Sequence, residues 1–296
     1  MRLKNSLLAG FRKMASVIKL VLVMYSVTFV FSFVLGSAFS MSMSSFKSKP
    51  LLSELFAGFD YTVFSDFMHN YGDSISPIFN VMIMFAVFYL LMEIIFAGGL
   101  IGRFHFESNK MKAVKFFGFG IKYFWRYTRL FLYKLLALAI TFGIVITIAS
   151  VFFDSFDAGI ETDYIKVIII SAVIFLILFL LLSVISDYAK IIIVKTNLTS
   201  SWTAIKMAVG FVFTRIHVVA LIFLAGIVIY TMFTIIYLTI AVNFPITNMF
   251  SVFVLFVLQQ LFIFLRFITK TFVLASEFSF HVNETVNLKK KILKGS

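Results

Sequence analysis

Residues Tyr164 to Ile185 read YIKVIIISAVIFLILFLLLSVI, 22 residues interrupted by a single charge, Lys166. As an α-helix this run is about 33 Å long, enough for the roughly 30 Å hydrocarbon core of a bilayer. Backbone groups in lipid have to be paired within the segment, which makes the run a helix. Five more runs of the same kind accompany it: Val17–Ser40, Ile78–Ile101, Leu130–Phe153, His217–Val242 and Met249–Ile268. The alternating patterns of a membrane barrel are absent. The expected fold class is therefore an all-α transmembrane protein, a six-helix bundle.

The whole chain agrees with that reading. It is 61% hydrophobic and 13% charged, against about 45–50% and about 25% in soluble domains. A water-soluble fold of this composition would expose far too much apolar surface. A net charge of +13 would suggest nucleic acid in a soluble protein. Here the basic residues surround apolar spans, so orientation and anionic headgroups explain them and no nucleic-acid partner is expected. The chain has no cysteine, which excludes disulfides and thiol chemistry.

The charges also set the orientation. All but Lys47, Lys49 and Lys166 of the 26 Lys and Arg residues fall in segments sharing one side, and eight of the 13 acidic residues lie opposite. In a bacterial inner membrane the basic side is the cytoplasm, and six spans put both termini there. The first run, with its basic leader, exceeds the length of a signal-peptide core, so an uncleaved first helix is expected. The opposite loops are 41–77, 154–163 and 243–248, and they hold all three prolines. In the first loop, Leu52–Phe59 and Phe64–Tyr71 carry helical spacing, suggesting two short surface helices.

The basic segments resemble one another. Leu3, Leu7, Phe11, Met14 and Ile18 form an apolar stripe before the first span. Lys112, Lys115, Lys122, Arg126 and Arg129 form a basic stripe before the third, and Trp202, Ile205, Val209 and Val212 an apolar one before the fifth. This predicts three repeats of an interfacial helix plus a transmembrane hairpin, over about residues 1–102, 103–195 and 196–280, with a basic tail at 281–296. Lys112, Lys115, Lys122, Arg126, Arg129 and Arg215 are the candidate contacts for anionic headgroups of the cytoplasmic leaflet. No cofactor is expected, and the sequence names no protein partner.

Ionisable or amide side chains within or beside the spans are functional candidates by default. They are Glu93, Asp187, Gln259, Gln260, Arg266 and Lys270. Glu93 and Arg266 read as a structural pair or interface anchors, with a proton or anion relay as the alternative; the glutamines read as helix–helix glue. The four histidines are isolated, without metal-ligand spacing, and no nucleophile elbow, Walker loop or dinucleotide fingerprint occurs.

Asp187-Tyr188-Ala189-Lys190, Trp202-Thr203-Ala204-Ile205-Lys206 and the aromatic stretch to Arg215 form one group of motifs; Ala97–Gly102 and the basic helix through Trp125-Arg126 form another. Together they resemble bacterial six-span proteins related to the membrane domain attached to some glycerophosphodiester phosphodiesterases. That resemblance implies an inner-membrane helical bundle without known catalytic residues. The soluble phosphodiesterase domain has no counterpart in these residues, so its activity is not carried over. The sequence thus points to a non-enzymatic membrane scaffold or lipid-associated module; the alternative is a permease for a small or lipidic substrate.

Overall fold

Apolar runs of this length leave the backbone one way to satisfy itself, and the computed structural model is helical almost throughout. It describes residues 2–44, 60–106, 113–154, 161–245 and 248–294. Lys47, Lys49, Pro50, Lys112 and the spacing over Leu52–Phe59 lie outside the described residues. Among the described residues there is no strand. The helices are α1 (Arg2–Ser16), α2 (Ile18–Ser44), α3 (Tyr61–Phe106), α4 (Ala113–Asp154), α5 (Glu161–Thr196), α6 (Ser201–Thr214), α7 (Ile216–Asn243) and α8 (Met249–Lys294). Six of them are long and apolar enough to cross a membrane, so the chain is an all-α, multi-pass membrane protein. It divides into two units, Leu22–Glu93 and Met1–Val21 with Ile94–Ser296.

In the Leu22–Glu93 unit, Phe31 packs on Phe88 with ring centroids 4.6 Å apart. Helix α3 opens on Asp60, whose Oδ1 accepts from the backbone N–H of Thr62 at 2.7 Å and satisfies a donor of the first turn. The expected loop over 72–77, with a separate short helix before it, is corrected here. Residues from Tyr61 onward form one helix that runs through Pro77 into the span. A proline inside a helix removes one backbone hydrogen bond.

The other unit holds the remaining spans, and its core is built from the inner helix ends, those on the basic side. Helix α5 runs eleven residues past Ile185, and α8 runs far past Ile268. Their apolar halves stay exposed, with Ile168 at 58% and Phe253 at 60%, as lipid-facing residues do. Their inner halves are enclosed by protein. Leu274 to His281 are eight consecutive buried residues on α8. A helix buried on all sides is a core helix, and five others reach it. Gly10 of α1 meets Ser276, Phe104 of α3 packs on Phe278, and Tyr188 of α5 lies beside His281. Phe211 of α6 packs on Phe280, and Gly226 of α7 meets Val273.

The docking follows a pattern. The inner end of α3 packs on the start of α4, where a Cβ on Gly98 would lie 3.1 Å from the Gly120 Cα. The inner end of α5 packs on α6 through Tyr188 and Phe211. That of α8 packs on α1, where a Cβ on Gly10 would lie 2.7 Å from the Ser276 Cα. Each outgoing helix thus docks on a segment that introduces a span pair, and the last docks on the first.

Two of those introducing segments end alike. Val17 N–H donates to Met14 O at 3.0 Å, and Leu20 N–H to Val17 O at 2.8 Å. The same bonds recur from Arg215 to Val212 and from Val218 to Arg215, both at 3.1 Å. In this register Ser6, Gly10, Met14, Val21 and Met24 stand opposite Ala204, Ala208, Val212, Val219 and Ile222, and all ten are buried. The segment before the third span has no such break; it is continuous with that span as α4.

The buried stripes are rotated from those expected. Helix α6 buries Ser201, Ala204, Ala208 and Val212, and α1 buries Ser6, Gly10 and Met14, with Val17 buried at the break after it. Small residues let the backbones approach, so they take the contact face. Larger apolar residues of the expected stripes, Phe11, Ile18 and Trp202, face outward.

Candidate functional site

Helix α8 carries Glu277, His281 and Glu284 at steps of four and three, which puts them on one face. That face meets α5 at Asp187, Tyr188 and Lys190 and α6 at Phe211, just before Arg215. Glu277 and Tyr188 are fully buried, and His281 is 5% exposed. The His281 ring lies 4.7 Å from that of Phe211, which in turn lies 5.1 Å from Tyr188.

Charged groups of both signs surround this centre. Lys190 Nζ donates to Asp187 Oδ1 at 2.7 Å, and Arg215 Nε to Glu284 Oε2 at 3.1 Å. Lys195 donates to Thr285 Oγ1. The Arg215 guanidinium also sits over the Phe211 ring at 4.8 Å, a cation–π contact. Tyr127, buried on α4, donates to the Lys190 carbonyl at 3.0 Å and fixes that turn of α5. At the centre, neither oxygen of Glu277 has a hydrogen-bond partner, nor does the Tyr188 hydroxyl or Nδ1 of His281. Asp187 and Lys190 act on Glu277 electrostatically with opposite signs. Among the described residues no three His, Cys, Asp or Glu side chains gather closely enough to hold a metal ion.

The sequence-derived candidates are placed variously. Asp187 and Arg215 belong to this cluster. Arg126 donates to Asn197 Oδ1 at 3.0 Å and to the Leu198 carbonyl at 3.1 Å. Arg129 donates to the Thr199 carbonyl at 3.4 Å. These two arginines clamp the turn between α5 and α6. Lys115 and Lys122 are exposed on α4. Glu93 belongs to the Leu22–Glu93 unit, where the Tyr89 hydroxyl donates to it at 3.2 Å. Gln259, Arg266 and Lys270 are exposed on α8, and Gln260 is half-buried. The two glutamines lie about 25 Å along α8 from Glu277.

Tyr188, Glu277, His281 and Glu284 were missed by sequence reasoning. A signal was available: only five acidic residues lie on the basic side, and Glu277 and Glu284 are two of them, at helical spacing with His281.

A second feature faces outward. Val114, Ile121 and Trp125 of α4 are exposed beside Lys115 and Lys122, with Trp125 at 65%. On α6, Trp202, Met207 and Phe213 are exposed, and Lys206 lies 5.6 Å over the Trp202 ring. On α1, Leu8 and Phe11 are exposed beside Lys4 and Arg12, and at the start of α2 Ile18 is exposed beside Lys19. No family model matches this chain, and neither does any curated protein or solved structure.

Proposed function

We propose that the protein is a non-enzymatic, lipid-associated module of a bacterial inner membrane, with both termini cytoplasmic and its basic face on anionic headgroups. The observation that carries this reading is the outward face of α1, α4 and α6, where aromatic and aliphatic side chains alternate with lysines. Such a face suits the boundary between acyl chains and headgroups: apolar groups enter the lipid while lysines stay with the phosphates. Both tryptophans of the chain, Trp125 and Trp202, lie on it. Tryptophan favours that depth. Lys115, Lys122 and Lys206 serve as the headgroup contacts, while Arg126, Arg129 and Arg215 hold the platform together.

The recurring bonds at Val17 and Arg215, and the docking of α3, α5 and α8 on α4, α6 and α1, support reading the chain as three related units. The likeness to membrane domains attached to glycerophosphodiester phosphodiesterases belongs to this proposal as well.

The test is retention of lipid by the full-length protein extracted from a mixed anionic and zwitterionic membrane. Wild type retains anionic lipid in excess over its share of the membrane. Combined Lys115→Gln, Lys122→Gln and Lys206→Gln removes that excess without unfolding the protein. Retention in proportion to the bulk membrane would sink the proposal.

A second reading, a permease for a small or lipidic substrate, is favoured by one observation, the buried and unpartnered Glu277. Solute movement in proteoliposomes that Glu277→Gln abolishes would promote it.

A further inference from the structure

We propose that the Glu277 carboxyl is a proton-binding site at the centre of the inner platform, flanked by Tyr188 and His281. This goes beyond lipid association and does not depend on it. Four polar atoms without hydrogen-bond partners belong to this cluster: both carboxyl oxygens of Glu277, the Tyr188 hydroxyl and Nδ1 of His281. They come from two helices, and they lie where α8 is enclosed on all sides. An ionised carboxylate taken from water without hydrogen bonds is costly, and in practice such a group neutralises. One proton on the carboxylate gives the neutral acid, with no bond broken and no co-reactant needed. The neutral acid also carries one O–H donor, where the ionised form offers acceptors only.

The surrounding cations do not substitute for that proton. Lys190 is bonded to Asp187, whose negative charge opposes a second anion beside it. Lys195 is bonded to Thr285, and Arg215 to Glu284. From α1, Lys13 lies over the Phe278 ring at 5.4 Å and donates to the Phe104 carbonyl at 3.5 Å. Helix α3 brings Arg103, which is buried, and His105. The only ionisable side chain of α7 among its apolar residues and tyrosines is His217, which is exposed. None of these reaches a Glu277 oxygen in a hydrogen bond.

Infrared spectroscopy of the full-length protein in lipid nanodiscs at neutral pH tests this. The carbonyl stretch of a protonated carboxyl is expected in wild type and in Glu93→Gln, and is lost in Glu277→Gln. Should Glu277→Gln fail to fold, Tyr188→Phe decides: removing the neighbouring hydroxyl is expected to shift the band. Absence of a protonated-carboxyl band in wild type overturns the proposal. So does a band that every folded variant leaves in place and unshifted.

Discussion

Arg215 Nε and Glu284 Oε2 lie 3.1 Å apart, joining the break between α6 and α7 to the inner half of α8. Residues 69 apart in sequence are thereby fixed at one corner of the platform. The Glu284 side chain is 7% exposed and that of Arg215 21%, so water competes weakly for the pair. Arg215→Met alone takes a charged partner from a buried carboxylate and is expected to cost about 2 kcal/mol, between the ranges for exposed and fully buried pairs. Arg215→Met combined with Glu284→Gln should cost less than the two single changes together. A double-mutant cycle on thermal stability in detergent measures that coupling, and simple additivity would show that the pair contributes nothing.

The contact of α1 with α8 depends on Gly10. A Cβ there would come within 2.7 Å of the Ser276 Cα, a backbone atom that cannot swing aside. Gly10→Ala is expected to destabilise by about 1–3 kcal/mol, the usual cost of overpacking. Gly118, exposed on α4 with open space around its Cβ position, is the control. Gly118→Ala is expected to be neutral or to stabilise by about 0.5–1 kcal/mol through helix propensity. Melting temperatures of the two variants should therefore move in opposite directions or differ clearly in size.

Lipid selectivity should follow charge one lysine at a time. Each lysine near an anionic membrane surface is worth about 1 kcal/mol. Lys115→Gln, Lys122→Gln or Lys206→Gln is thus expected to weaken anionic-lipid retention about five-fold. High salt should blunt the difference. Lipid titration followed by native mass spectrometry at two ionic strengths checks both the size and the salt dependence.

The absence of cysteine makes the topology directly readable. Val242 and Asn283 are exposed, at opposite ends of the α7–α8 pair. Val242→Cys is expected to react with an impermeant maleimide from outside intact cells, and Asn283→Cys only after the membrane is opened. Labelling of both from one side would contradict the assigned orientation.

The spans were legible because a 22-residue apolar run such as Tyr164–Ile185 has few physical alternatives. The break at Arg215 was half visible: an amphipathic segment ending in a basic residue beside an apolar run suggests a change of direction. The buried stripe of α6 was not. A helix end carrying both Trp202 and Ala204 can bury either face, and the choice depends on how closely α5 approaches. Glu277 and His281 were hidden for a related reason. Hydropathy drops after Ile268, so the sequence reads as an exit from the membrane into solvent, while the helix in fact enters a second, protein-lined core. Arg126 was legible as part of a basic stripe, but such a stripe does not reveal a carbonyl acceptor some seventy residues away.

Trp125 and Trp202 offer a direct probe of the proposed headgroup face, since they are the only tryptophans and both are exposed on it. The measurement is quenching of their fluorescence in reconstituted protein by lipids brominated on the acyl chain. Anionic and zwitterionic brominated lipids are compared at the same mole fraction. Stronger quenching by the anionic lipid, reduced by added salt and by Lys122→Gln with Lys206→Gln, is the predicted result. Equal quenching by the two lipids, unchanged by salt, would contradict a basic face that selects anionic headgroups.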